Sequence, residues 1–259
     1  MARMSSKKNK QQNLIGIFLI AIILLIFIGL LSVYAYARFS TESISQYNVF
    51  LIDVTDKLTP QQKGELINNF EKYINESPKN SWHEVYQVDS TDNELLKPLL
   101  KTKSTFAPND PGSSLISSTV LLKKDFVENF VMPFRNLLEE SFATPAAQKS
   151  PILESVQSAA ITCLNKYEAQ KAPRRLILVS DLMQNTEGIN FYQGIPLFDN
   201  LLKNEAYRKT RTNLGGVKFQ IWKLNSRISP EDDRKLLDLW NKIIHDQGGV
   251  IQPIIRIPG

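Results

Sequence analysis

Two periodicities alternate along this chain. From residue 47 onward, apolar runs of strand length are separated by segments whose apolar residues recur at helical spacing. YNVFLI, 47–52, is almost wholly apolar, as a strand covered on both faces must be. Thr59-Pro60 reads as an N-cap and first helical position, and Leu66, Ile67, Phe70, Tyr73 and Ile74 line one face of a helix reaching about Glu76. SPKNS is a loop, and WHEVYQVD, 82–89, alternates as a strand does. Residues 90–118 are less regular: Pro98 interrupts NELLKPLLK and FAPNDPGSS is rich in turn residues, which predicts a short edge strand and a long loop. A helix is expected over 126–142, kinked or broken at Pro133. Ser150-Pro151 opens the next helix, with Glu154 in its first turn and a wide apolar face from Ile152 to Tyr167. RRLILVSD, 174–181, is a second strong strand, and a polar loop then leads to a helix over roughly 196–208. GVKFQIWKL, 216–224, is a further strand, and Ser229-Pro230 starts a helix that Gly248-Gly249 stop. VIQPIIRI reads as a last strand, with Pro253 suited to an edge.

About six strands alternating with helices predict one α/β domain over residues 47–259, a doubly wound, mostly parallel Rossmann-like sheet with helices on both faces. Ahead of it, LIGIFLIAIILLIFIGLL, 14–31, carries no charge, and SVYAYA extends the apolar run to Arg38. In hydrocarbon only a helix satisfies its own backbone, and about 20 residues are needed to cross. The sequence therefore predicts a basic tail over 1–13, a transmembrane signal-anchor helix over 14–37 and a short stalk over 38–46. Ala35-Tyr36-Ala37 has the small-x-small look of a cleavage site, but the apolar run exceeds the roughly 7–15 residues of a secretory signal. Arg3, Lys7, Lys8 and Lys10 precede the run without an acid among them, which places the N-terminus inside and the C-terminal domain outside. In a bacterium that is a single-pass inner-membrane protein with a periplasmic or extracellular domain.

Charge changes the picture once the tail is set aside. The chain has 31 Lys and Arg against 26 Asp and Glu, and the surplus of five equals the basic residues at or before Arg38. The domain is formally neutral, so nucleic acid is not an expected partner. The lone Cys163 excludes an intramolecular disulfide and falls in an apolar helical pattern as a core residue.

Two strands that end in an aspartate carry the candidate chemistry. Asp53 follows VFLI and Asp181 follows LILVS, and Ser150 opens a helix after a loop. Ligands of open α/β sheets collect at the carboxyl ends of strands, at the point where strand order reverses. If the first and fourth strands are neighbours, Asp53, Thr55, Ser150 and Asp181 converge, and their hard oxygens suit Mg2+ or Mn2+. Lys57 offers no lone pair to a metal and could instead replace the cation beside Asp53. Three readings stay open: a polar cluster without metal, a divalent-cation site, and helix-capping residues that do not converge. Neither histidine has a second at ligand spacing, and no Gly-x-Ser-x-Gly elbow, P-loop or Gly-x-Gly-x-x-Gly run is present.

The run Asp53-Val-Thr55-Asp56-Lys57, the SPILESV segment at 150–156 and the SDL triplet at 180–182 resemble a von Willebrand factor type A domain. That family's metal-ion-dependent adhesion site uses Asp-x-Ser-x-Ser, a later threonine and a Ser-Asp-Gly. Here Lys57 stands for the second serine, Ser150 for the threonine and Leu182 for the glycine. The chain is also similar to a bacterial membrane-anchored group with Asp-x-Thr-Asp, Ser-Pro-Ile-x-Glu and Ser-Asp-x-x-Gln-Asn runs, a group whose adhesion site is degenerate. The resemblance implies a non-enzymatic module that binds another protein over the carboxyl edge of its sheet, and the short stalk, which holds the domain near the bilayer, points to a partner in the same envelope complex. Asp56, Thr59, Gln184, Asn185, Phe191 and Tyr192 are the expected partner-binding loop residues. The alternative is an extracytoplasmic metal-dependent phosphoesterase using Asp53 and Asp181.

Overall fold

The computed structural model describes residues 19–20, 22–33, 43–53, 55, 58–88, 96–104, 124, 126–141, 149–225 and 228–258. Two compact units divide the chain at Ser43 and Ile44. In the first, residues 22–33 are helical, and its large apolar side chains such as Ile23, Leu25 and Phe27 are exposed. Among the described residues no helix is long and apolar enough to cross a membrane. The expected span over 14–37 takes in residues outside the described ones.

Among the described residues, the second unit is built on one seven-stranded sheet. Its strands are β1 (Gln46–Asp53), β2 (Ser81–Val88), β3 (Leu96–Ser104), β4 (Arg174–Ser180), β5 (Val217–Leu224), β6 (Val250–Ile251) and β7 (Ile255–Ile257). The order is β3-β2-β1-β4-β5-β6, with β7 also on β5. All pairings are parallel except that of β2 with β3. This is the doubly wound arrangement expected from the sequence. The last predicted strand is two short ones, split around Pro253, and both pair with β5.

β1 is buried along its whole length, which is why its sequence alternates so little. Phe50, Ile52, Ile177, Val179 and Trp222 pack under α1 (Pro60–Glu76) and α2 (Met132–Ser141) on one face. Val49, Leu51, Leu176, Leu178, Phe219 and Ile221 form the other, larger core with α3 (Ile152–Ala159) and its neighbours. Those neighbours are α4 (Tyr167–Gln170), α5 (Phe198–Lys203), α6 (Glu205–Thr210) and α7 (Pro230–Asp246). A capping box fixes the start of α1: Thr59 Oγ1 accepts from Gln62 N at 3.1 Å and Gln62 Oε1 from Thr59 N at 2.9 Å. Thr59, expected as a partner contact, has its hydroxyl committed to that cap.

Three departures from the sequence expectations have local causes. Pro98 lies inside β3 instead of ending it, because β3 is the edge strand and the register shifts between Val85 and Tyr86 opposite it. Pro133 does not break its helix: a wider turn over Val127–Val131 precedes it, where the Met132 N–H reaches back to Val127 O. The helix expected over 196–208 is two, because Asn204 ends α5 and caps α6 by accepting from Tyr207 N at 3.1 Å.

His83, on β2, is fully buried and stacks on Phe50. Its Nδ1 lies 3.3 Å from Asn48 Nδ2, an amide donor, so the neutral ring accepts there. Burial depresses its pKa to about 3. The unfolded chain therefore binds a proton that the native state refuses between about pH 6.5 and pH 3, and stability falls as pH drops through that window. Urea unfolding of the full chain and of His83→Gln, compared from pH 7.5 to 4.5, should show the stability gap shifting in the variant's favour below pH 6.5. Parallel curves would show that His83 is not the acid-sensitive group.

Candidate functional site

β1 and β4 are the neighbours at which strand order reverses, β2 lying on one side and β5 on the other. The crevice between their carboxyl ends is the place such sheets offer to ligands. Asp53 ends β1 and Ser180 ends β4, on the face covered by α3.

The Asp53 carboxylate is buried, and the chain solvates it. Oδ1 accepts from Thr55 N at 3.1 Å and from Thr55 Oγ1 at 2.7 Å. Oδ2 accepts from Ser150 Oγ and from Ser180 Oγ, each at 2.9 Å. Three segments far apart in sequence thus meet on one side chain. Thr55 and Ser150 reach Asp53 as expected, and Ser180 joins them.

Ser150 is placed by backbone exchange with Asn185: each N–H donates to the other's carbonyl at 2.9 Å. Gln184 locks the same junction. Its Oε1 accepts from Leu153 N at 2.9 Å, serving the first turn of α3, and its Nε2 donates to Glu154 Oε2 at 2.8 Å. Thr186 Oγ1 donates to Glu154 Oε1 at 3.2 Å. The Ser-Pro-Ile-Leu-Glu and Gln-Asn runs are therefore two halves of one hydrogen-bonded unit. Gln184 is buried and its side chain builds the site, while the backbone of Asn185 holds Ser150. Phe191, expected on the surface, is buried in the core, while Tyr192 beside it is 58% exposed. Asp56 and Lys57 lie outside the described residues.

Asp181 is buried and accepts from Met183 N at 2.9 Å. Leu182 follows it with φ of 69°, a left-handed conformation unusual for a branched side chain. Its N–H donates to Ser180 Oγ at 2.8 Å, and its carbonyl accepts from Trp240 Nε1 at 3.1 Å. The turn that a glycine would make freely is held here by packing and these two bonds.

A lysine that sequence reasoning passed over completes the electrostatics. Lys223, the register partner of Ser180 on β5, is only 2% exposed. Its Nζ donates to Leu224 O at 2.9 Å and pairs with Asp233 Oδ1 at 3.3 Å. Burial pushes its pKa down, opposed by the carboxylates of Asp233 and Asp181. Asp233 pairs in turn with Arg256 Nη1 at 2.9 Å. Burial raises Asp233, but bonds from Arg256 and Lys223 outweigh it and hold its carboxyl below the ordinary range. The signal was present in GVKFQIWKL: Val217, Phe219, Ile221 and Lys223 share the inward face, and only the last is charged.

The donor chemistry around Asp53 is that of a hard-cation site, oxygen throughout. The charge arrangement is different. Each Asp53 oxygen already accepts two hydrogen bonds, and the positive charge beside Asp181 is an ammonium. Among the described residues no three His, Cys, Asp or Glu side chains are grouped to hold a metal ion. The chain's two histidines lie in β2 and in the last turn of α7.

No protein-family profile and no curated protein matches the sequence. Solved structures to which the chain is similar include the following two. A von Willebrand factor type A protein from Catenulispora acidiphila shares 11% identity at a TM-score of 0.43, over 82% of this chain and 39% of that one. The ArnB paralog VWA2 from Sulfolobus acidocaldarius shares 10% identity at a TM-score of 0.40, over 81% and 41%. This chain thus spans about two fifths of each of those proteins.

Leu182 gives the site a test in which two energies oppose. The left-handed conformation costs roughly 1 kcal/mol, while burying the leucine side chain contributes roughly 1.5–3 kcal/mol. Leu182→Gly should therefore destabilise the full chain, and Leu182→Ala, which keeps the strain and loses the burial, should destabilise it more. Melting temperatures ordered Leu, Gly, Ala are expected; alanine above glycine would show that the turn is unstrained.

Proposed function

We propose that the chain is a membrane-anchored, extracytoplasmic protein-binding module, a component of an envelope-associated complex. The observation that carries this reading is the self-sufficiency of the carboxyl edge. Asp53 is satisfied by Thr55, Ser150 and Ser180, and Asp181 lies near the Lys223 ammonium. What the edge supplies is a stiff base for the loop that leaves β4. Gln184, Asn185 and Thr186 tie that loop to α3, and Asn190 Oδ1 holds it by accepting from Tyr192 N at 2.9 Å. Tyr192 and, further on, Leu197 are held out to solvent on this support. Exposed aromatics on a rigid scaffold are the usual anchors of protein interfaces. The phosphoesterase alternative would need open oxygens on Asp53, which the three hydroxyls occupy.

Anchoring is supported by the uncharged stretch at 14–31 and by the exposed apolar side chains of the helical residues 22–33. A helix apolar on all sides is at home in a protein core or in lipid. The positive flank of Arg3, Lys7, Lys8 and Lys10 supports a tail inside and an α/β unit outside.

The module works without a divalent cation, Lys223 supplying the charge that an ion would bring to Asp181. Binding to the native state alone must raise the melting temperature with ligand concentration. Titrating Mg2+ or Mn2+ into the full chain should leave the melt unchanged. A rise that vanishes in Asp181→Ala would establish a working cation site and overturn this part of the reading.

The binding reading is tested in the membrane. A photo-cross-linking residue placed at Tyr192 or Leu197 should give a discrete adduct, and one placed at Tyr167, exposed on α4, should not. An alkaline phosphatase fused after Pro258 should be active, as it is only outside the cytoplasm. Adducts at all three positions alike, or at none, would remove the support for a specific docking face, and an inactive fusion would reverse the orientation.

A further inference from the structure

One cleft stands apart from the Asp53 cluster. It lies at the carboxyl ends of β5 and β7, beside the first turn of α7, and its volume is about 430 Å³. That is within the range of about 300–1,000 Å³ that small-ligand sites occupy. Lys223 and Arg256, register partners on adjacent parallel strands, stand on the same side and share one carboxylate, Asp233. Leu224, Ile228 and Ile257 supply apolar wall.

We propose that this cleft receives a carboxylate-bearing segment of a partner polypeptide, with Arg256 as the docking group and Asp233 as its internal stand-in. The inference rests on the binding-module reading and names the chemistry of the partner. Four features favour an acidic peptide. First, Arg256 is 61% exposed and, among the described residues, hydrogen-bonds only through Nη1 to Asp233. A guanidinium has five N–H donors in a planar fork, so an outer edge remains that matches a carboxylate with two parallel bonds. Second, Asp233 already shows a carboxylate seated between the two cations, at 3.3 Å from Lys223 and 2.9 Å from Arg256. Third, the other acids of the first turn of α7 do not oppose such a guest strongly. Glu231 pairs with Lys235 at 2.8 Å, and Asp232 lies 3.5 Å from the same lysine and takes part in the Ser229 cap. Fourth, the apolar wall suits the methylenes of a glutamate and its neighbours. Lys223 stays buried throughout and contributes its charge from behind, with Asp233 between it and the guest.

The test uses the full chain in detergent micelles, with a fluorescein-labelled, end-blocked hexaglutamate as probe and hexaglutamine as the neutral control. Anisotropy should show hexaglutamate binding that weakens with salt, with no hexaglutamine binding. Arg256→Gln should weaken the probe about tenfold or more, the scale of a lost charge-assisted bond. Asp233→Asn, which removes the internal competitor, should tighten it. Arg256 is largely in solvent, so its variant should melt as the wild type does and report on binding alone. Absence of probe binding, or binding that survives Arg256→Gln, overturns the assignment. Inorganic phosphate or citrate that binds in the cleft while the peptide does not would assign it to a free anion and overturn the peptide reading. Tyr192 cross-linking that persists alongside either failure leaves the binding-module reading standing, so the two ideas fail separately.

Discussion

A carboxylate withdrawn from water at the end of β1 must be solvated by the protein, and the rest of the carboxyl edge is arranged to do it. Leaving such a charge without partners would cost far more than the few kcal/mol by which domains are stable. Thr55, Ser150 and Ser180 therefore come to Asp53 from a loop, a helix start and a neighbouring strand. Each brings its segment with it. The exchange between Ser150 and Asn185 and the capping of α3 by Gln184 follow from the need to hold those hydroxyls in place.

The strand order makes the convergence possible. Because β1 lies between β2 and β4, the chain after β1 and the chain after β4 leave the sheet on either side of one crevice. Any polar residue ending those strands on the α3 face is brought within reach of the others. The same geometry places Lys223 one strand further along, between the buried Asp181 and the first turn of α7. A lysine inside a protein is tolerated when carboxylates meet it, and Asp233 and Asp181 do so. The result is a row of charge that alternates from Asp181 through Lys223 and Asp233 to Arg256, balanced enough to be largely buried and open to solvent at its Arg256 end.

Strain and rigidity belong to the same arrangement. Leu182 takes a glycine-like conformation because its side chain is wanted in the core and its carbonyl by Trp240. The loop after β4 is thereby fixed at both ends of its first turn, and what it shows to solvent, Tyr192 above all, is shown in one position. Preorganisation of this kind lowers the ordering cost of association, which is how a modest surface gains affinity.

Much of the fold was legible in residue patterns, since it rests on local physics. β1 reads as a buried strand because every residue in it is covered, and α1 and α7 announce themselves through Thr59-Pro60 and Ser229-Pro230, whose hydroxyls cap their own helices. The aspartates at strand ends were legible as candidates for the same reason. What those residues do was decided only by tertiary structure. Pro98 and Pro133 looked like breaks, yet an edge position and a widened turn accommodate them. Gln184 and Phe191 looked like loop surface and are buried, because the loop folds back on α3 and the core. Lys223 read as one more polar residue in a strand until β4, β7 and α7 surrounded it with Asp181, Arg256 and Asp233. By itself the sequence determined the doubly wound sheet and the acids at its carboxyl edge, through local periodicity and capping. Asp53 is answered by serines 97 and 127 residues away, and Asp181 and Asp233 by Lys223 and Arg256 on other elements, pairings that only packing sets.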